Sequence, residues 1–445
     1  MEKTRRQAYH LEPPVGLLND PNGLAWYNGS YYLYFQWNKY EKNHSYKEWG
    51  GFTSPDLVHW QFHGSALLPD QPYDQHGVYS GSALVIDSQL NLYYTGNRKD
   101  DGVRTAYQCR AVTGDGRRYL KLGPVLETPP GFTAHFRDPD VLRGQNGDYF
   151  MVVGAQRASG KGALALARSR DGAHWRYERT LAVSERYEMI ECPDLILLDG
   201  QHILFYCPQA RDNQADVCLG SFSAWKPVTF DEAAGTFGLA DEDLDQGFTR
   251  TDGGFDFYSP QTFEDGKGRR LLFGWMSRME DAQEAAFSEG APSVHCMTMP
   301  RVLHWRKGKL CQQPPEELYA LRGEPIRPEQ LADRLFWLGI EGLPGTKPFR
   351  LTLHGGEAAL AFDPAARTLT FTRIAWLTGR PESKVCPLEA LHSLEVWSDH
   401  SSLEIFVNGG SMVLSSRIYP TSEQLGLDVR GADGCGITLR PICIG

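Results

Sequence analysis

The sequence contains no C-x-x-C pair, no cluster of Lys or Arg beyond scattered doublets, and no apolar run approaching the length of a membrane span. Each absence removes a class of function. Nine cysteines, odd in number and scattered, indicate neither a disulfide framework nor a zinc site, and a reducing cytoplasm is the expected location. A net charge of −10 without a basic stripe argues against nucleic acid or an anionic membrane surface as partner. The opening MEKTRRQAYHLEPPVG is basic but is not followed by an apolar segment, so no secretory signal is expected.

What is abundant is aromatic character, 12% of residues, on an ordinary 41% hydrophobic background. Such rings suit strand-rich architecture. They fall in a pattern built on Leu17-Leu18-Asn19-Asp20-Pro21-Asn22-Gly23-Leu24, a carboxylate on a constrained turn ahead of an aromatic strand. Similar stretches open at Asp20, Ser80, Asp138, Cys192 and Ser259. Each runs from a small or acidic residue through an apolar run, a polar turn and a second apolar run, which is a β-hairpin. The steps between openings are 60, 58, 54 and 67 residues. A β unit repeated five times at this length predicts a five-bladed β-propeller over residues 1–315.

A second motif, S-x-D-x-x-H-W, occurs at Ser54–Trp60 and Ser169–Trp175, with weaker echoes near Asp115 and His304-Trp305. It predicts an outer strand pair in each blade, the Asp forming a turn and the Trp filling a gap between blades. Residues 212–254 and 280–292 read as long loops. Residues 316–330, rich in proline, read as a linker. Beyond them, alternating segments such as Phe349–Leu353, Leu394–Trp397 and Leu403–Val407 predict a β-sandwich over 331–445. The fold class is therefore all-β.

In a propeller the first strand of each blade lines the central channel, so the five repeat openings face one another. Three bring acids there: Asp20, Asp138 and Glu191, the last one residue out of register when Pro21, Pro139 and Pro193 are aligned. A single Asp before Pro is ordinarily a turn residue. Three carboxylates at matching positions are costly, because like charges disfavour one another, and this points to function. With no His or Cys set to ligate metal, paired acids suit glycoside hydrolysis, in which one protonates the leaving oxygen and another attacks or activates water. Neither metal nor cofactor is expected, and the partner is a small sugar.

Several motifs in order resemble glycoside hydrolase family 32, the invertases, fructanases and sucrose-6-phosphate hydrolases. They are L-N-D-P-N-G at Leu18–Gly23, Y-S-G-S at Tyr79–Ser82, F-R-D-P at Phe136–Pro139, E-C-P at Glu191–Pro193, D-F-Y-S-P-Q at Asp256–Gln261 and G-W-M at Gly274–Met276. The C-terminal Ser401–Pro420 resembles that family's β-sandwich signature. The resemblance implies a propeller plus β-sandwich and a retaining β-fructofuranosidase. It implies Asp20 as nucleophile, Glu191 as acid and base, and Asp138 as stabiliser of the transition state through fructose hydroxyls. Asn19, Gln36, Tyr79, Ser80, Arg137 and Trp275 fall at sugar-contacting positions. Arg137, beside Asp138, is expected to keep that carboxylate ionised.

Leu17-Leu18 and Met189-Ile190 depart from the family's usual Trp-Met and Met-Trp, changing the pocket wall rather than the acids. The HFRDP run from His135 and Tyr93–Asn97 look most like the bacterial sucrose-6-phosphate hydrolases. His44 and Lys47, in the loop after the first hairpin, are candidates for a more polar wall, with Lys47 as point charge for a sugar phosphate. Exo-acting fructan hydrolysis and fructosyl transfer use the same acids and stay open as alternatives. The oligomeric state is not legible.

Overall fold

A computed structural model of the protein describes residues 6–209, 221–277, 290–421 and 425–444. Five antiparallel sheets follow one another along the first two-thirds of the chain. Their innermost strands are Gly16–Tyr27, Val78–Ile86, Phe132–Arg143, Met189–Leu198 and Tyr258–Glu264. Three strands run outward from each, as in Ser30–Asn38, Glu48–Ser54 and Gln61–Leu67 of the first sheet. The hairpins form where the sequence places residues tolerant of left-handed backbone. Asn28-Gly29 takes φ of 48° and 76°, and Asp199-Gly200 takes 49° and 83°, the geometry that matches strand twist in a two-residue turn.

One repeated hydrogen bond welds the sheets into a ring. Two residues beyond each repeat opening, a side chain accepts from a backbone N–H of the following sheet. Asn22 accepts from Gly81 at 3.0 Å, Ser82 from Val141 at 2.9 Å, and Asp140 from Leu195 at 3.0 Å. Asp194 accepts from Thr262 at 2.6 Å, and Gln261 closes the circle by accepting from Leu24 at 3.3 Å. The channel is thereby tied at its middle by five buried or half-buried polar groups, each satisfied. Burial pushes both the Asp140 and Asp194 carboxyls up, the charge of Asp194 adding to the rise at Asp140, while Asp194 reaches about 6 against the pull of Arg270. The short strand Ser293–Val294 also pairs in parallel with Gly16-Leu17, bringing the end of the ring back to its start.

The S-x-D-x-x-H-W motif does what its residues suggest. Asp56 and Asp171 each accept from two backbone N–H groups and from the ring of the following His, at His59 and His174. Trp60 packs edge-on against Phe273 of the fifth sheet, and Trp175 against Tyr93 of the second. These tryptophans fill inter-sheet gaps.

The reading of 212–254 as a loop needs correction. Residues 210–220 lie outside the described residues, but Ala224–Val228 and Thr249–Arg250 are the outer strands of the fourth sheet. They are short, and Pro227 breaks the donor pattern, so no periodicity exposes them in sequence. Of 280–292, residues 280–289 also fall outside the described residues.

The C-terminal part is two five-stranded sheets packed face to face around Leu338, Ile340, Leu351, Leu360, Val396 and Ile405. The 316–330 segment docks rather than spans: Leu318 and Leu321 of the short helical turn Glu316–Leu321 are buried against Trp397. Buried ion pairs join sandwich to propeller. Arg301 forks onto Glu404 at 2.6 and 3.1 Å, and Arg373 pairs with Asp256, the acid of D-F-Y-S-P-Q. That motif's Asp therefore serves the domain interface.

Candidate active site

Each innermost strand breaks register with its neighbour at the same point. The breaks lie between Leu18 and Pro21, Tyr79 and Gly81, Arg137 and Asp140, Glu191 and Asp194, and Tyr258 and Gln261. Such bulges re-aim side chains. Asp138, Cys192 and Ser259 hold φ of 63°, 45° and 50°, a strained region for non-glycine residues that tends to be kept where function requires it.

The bulges sort the channel mouth into two tiers. Asn19, Tyr79, Arg137, Glu191 and Tyr258 occupy one register position, and Asp20, Ser80, Asp138, Cys192 and Ser259 the next. Glu191 is thus no displaced equivalent of Asp138; it stands where Arg137 and Tyr258 stand. That placement sets its partners. Arg137 donates to Glu191 Oε1 from Nη2 at 2.6 Å and from Nε at 3.2 Å, while the Tyr258 hydroxyl donates to Oε2 at 2.8 Å.

Around Asp20 the contacts form a chain. Ser80 donates to its Oδ2 at 2.5 Å and Gln36 at 3.4 Å, and Gln36 and Ser80 bond one another. Asn19 donates to Gln36 at 2.9 Å, and Lys47 Nζ reaches Asn19 Oδ1 at 2.5 Å and His44 Nδ1 at 2.6 Å. The His44 ring meets Trp275 edge-on at 6.0 Å, and Tyr258 also meets Trp275 edge-on at 6.3 Å. Asn19, Asp20, Gln36, His44, Lys47, Ser80 and Trp275 are therefore one connected wall.

Asp138 is fixed by its backbone: its N–H donates to Thr95 at 2.9 Å, and its Oδ2 accepts from the Cys192 N–H at 3.2 Å. Burial pushes its carboxyl up to about 7 against the pull of Arg137, with the charges of Glu191 and Asp20 adding to the rise. The three acids share one electrostatic site.

Two expectations are corrected here. Arg137 does not serve chiefly to keep Asp138 ionised; its fork is spent on Glu191, and its Nε stands 3.7 Å from Asp138. Lys47 is not a rim cation waiting for phosphate. It is buried, and its ammonium donates to Asn19 Oδ1. Tyr258 was missed as a site residue, although its register match to Glu191 was available once the repeats were aligned. Among the described residues, no group of three or more His, Cys, Asp or Glu is placed to hold a metal ion. No helix among them is long and apolar enough to cross a membrane.

The family model described as glycosyl hydrolases family 32 N-terminal domain matches residues 10–314, and its C-terminal counterpart matches 341–437. The chain belongs to glycoside hydrolase family 32. Among similar proteins, the sucrose-6-phosphate hydrolase of Bacillus subtilis (strain 168) is 37% identical, over 93% of this chain and 89% of that one. The Klebsiella pneumoniae sucrose-6-phosphate hydrolase is 38% identical over 93% and 88%. The solved sucrose-6-phosphate hydrolase of Lactobacillus gasseri superposes with a TM-score of 0.87 at 26% identity, covering 98% of this chain and 93% of its own. This family 32 member is a glycoside hydrolase of the β-fructofuranosidase kind, with the propeller and β-sandwich that the family carries.

Proposed function

We propose that this family 32 enzyme hydrolyses sucrose 6-phosphate to fructose and glucose 6-phosphate, with retention at the fructosyl carbon. The observation that carries the reading is the meeting of Asp20, Asp138 and Glu191 in one buried site, where Asp138 feels the charge of both other acids. The sucrose-6-phosphate hydrolases at 37% and 38% identity support the substrate.

In this reading Asp20 attacks the anomeric carbon of the fructosyl unit. Ser80 and Gln36 both bond Oδ2, which orients the carboxylate and leaves Oδ1 to the sugar. Glu191 gives its proton to the glycosidic oxygen as that bond breaks. It then takes a proton from the water that releases fructose from Asp20, the same residue serving both half-reactions. Asp138, with its raised affinity for a proton, binds ring hydroxyls and stabilises positive charge as it develops in the transition state. Trp275 is buried and packs edge-on against His44 and Tyr258, so it acts on the site by holding those two side chains.

The test is turnover of sucrose 6-phosphate, sucrose and inulin side by side. The highest kcat/KM on sucrose 6-phosphate is expected. Equal efficiency on the two disaccharides would remove the phosphate from the reading, and inulin as best substrate would replace it with fructan hydrolysis.

A further inference from the structure

If the leaving glucosyl unit carries a phosphate, a cation must meet it beside Glu191. Three other cations are committed. Arg137 is forked on Glu191, Lys47 is tied to Asn19 and His44, and Arg98 pairs with Asp100 at 2.6 Å. Arg104 is different. It lies in the strand Val103–Thr113 of the second sheet, next to the hairpin turn at Asp101-Gly102. Its guanidinium stacks over the Tyr79 ring, 5.0 Å from the centroid. Tyr79 belongs to the same tier as Arg137 and Glu191, so the stack places Arg104 at the lip of the acid site.

Two of its nitrogens, Nε and Nη2, are buried and have no hydrogen-bond partner among the described residues. Buried guanidinium donors left unpaired are costly, and such groups are ordinarily satisfied. Stacking on Tyr79 fixes the plane of the fork while leaving its edge unused, which is how arginine is presented to a phosphate. Burial, then the nearby Arg137, make this cation easier to deprotonate, while Tyr79, Asp138 and Glu191 oppose that change. A dianionic group bound at its edge offsets both the cost of burial and the repulsion.

We infer that Arg104 binds the phosphate of the substrate's leaving unit and thereby sets the preference for a phosphorylated disaccharide. The inference rests on the substrate reading above. It moves phosphate recognition from the loop bearing Lys47 to the second sheet.

The experiment measures kcat/KM for sucrose 6-phosphate and for sucrose in wild type, Arg104→Gln and Arg104→Lys. It also compares inhibition by glucose 6-phosphate with inhibition by glucose. The ratio of the two efficiencies is expected to fall on the order of 10- to 100-fold in Arg104→Gln, as charge-assisted hydrogen bonds are lost. Arg104→Lys recovers part of the ratio, since it keeps the charge without the fork, and inhibition by glucose 6-phosphate weakens in parallel. A wild type that treats the two sugars alike overturns both the substrate reading and this assignment. A wild-type preference that survives unchanged in Arg104→Gln overturns the assignment alone. So does an equal loss on both sugars, which marks a structural role for the side chain.

Discussion

His10 offers a quantitative test of how the sandwich holds the active-site ring. It is buried at the domain interface, with Nδ1 2.8 Å from Asp399 and Nε2 3.1 Å from Glu404. Burial alone would favour the neutral ring. The hydrogen bonds and charges of Asp399 and Glu404 outweigh it and raise the pKa from 6.5 to about 9. A folded-state value above the unfolded one means stabilisation that is complete below about pH 6.5 and disappears as pH rises through 9. At 1.36 kcal/mol per unit, the shift corresponds to about 3 kcal/mol. Unfolding entropy of about 2.1 cal/mol/K per residue gives roughly 0.9 kcal/mol/K for a chain of this length, so the loss lowers Tm by about 3–4 °C. Calorimetry at pH 6.5 and pH 10 on wild type and His10→Gln isolates it. Glu12 and Asp138, both pushed up to about 7, titrate in the same window and cancel between the two proteins. Wild type should fall by about 3–4 °C more than the variant. An equal fall in both, or a wild type that gains stability on going alkaline, refutes the reasoning.

Asp20→Ala and Glu191→Ala should each remove hydrolysis while melting and circular dichroism stay those of the wild type; a general acid–base contribution alone is worth roughly a hundred- to ten-thousand-fold. Near-wild-type turnover in either folded variant would strip that residue of its role. NMR during the first turnovers should show fructose released with retained configuration, through a covalent fructosyl–Asp20 intermediate, and the inverted anomer appearing first would require a single displacement instead. Lys47→Met should lower kcat/KM on sucrose and on sucrose 6-phosphate together, by about tenfold, because it releases Asn19 and with it the Gln36–Asp20 chain. A loss confined to the phosphorylated sugar would return Lys47 to the phosphate.

Some of this site could be read from the chain and some could not, and particular residues show why. Asp20 and Asp138 were legible because each precedes a proline at a repeat opening, so local sequence marks their strand position. Glu191 was found as well, but its tier was misjudged, since register across a bulge is settled by pairing with the neighbouring strand. Arg137 carried no sequence signal for its choice between two carboxylates. Its neighbour in the chain is Asp138, yet its hydrogen bonds go to an acid 54 residues away. Lys47 read from the sequence as a point charge for a sugar phosphate, and only the packing of that loop against Asn19 buries it.

The sequence by itself determined the local units. Turn residues at Asn28-Gly29 and Asp199-Gly200, alternating apolar runs and the S-x-D-x-x-H-W turns are short-range instructions. They specify hairpins whether or not the ring has closed, and their recurrence counted out the units along the chain. The tertiary structure decided what depends on one sheet meeting the next. It decided the hydrogen bonds from Asn22, Ser82, Asp140, Asp194 and Gln261 to the following sheet, the partner of Arg137, and the unsatisfied edge of Arg104. The division has a physical cause. Backbone preference and side-chain periodicity act over a few residues, whereas burial, hydrogen-bond partnership and the field at a carboxylate are sums over groups that only folding brings together.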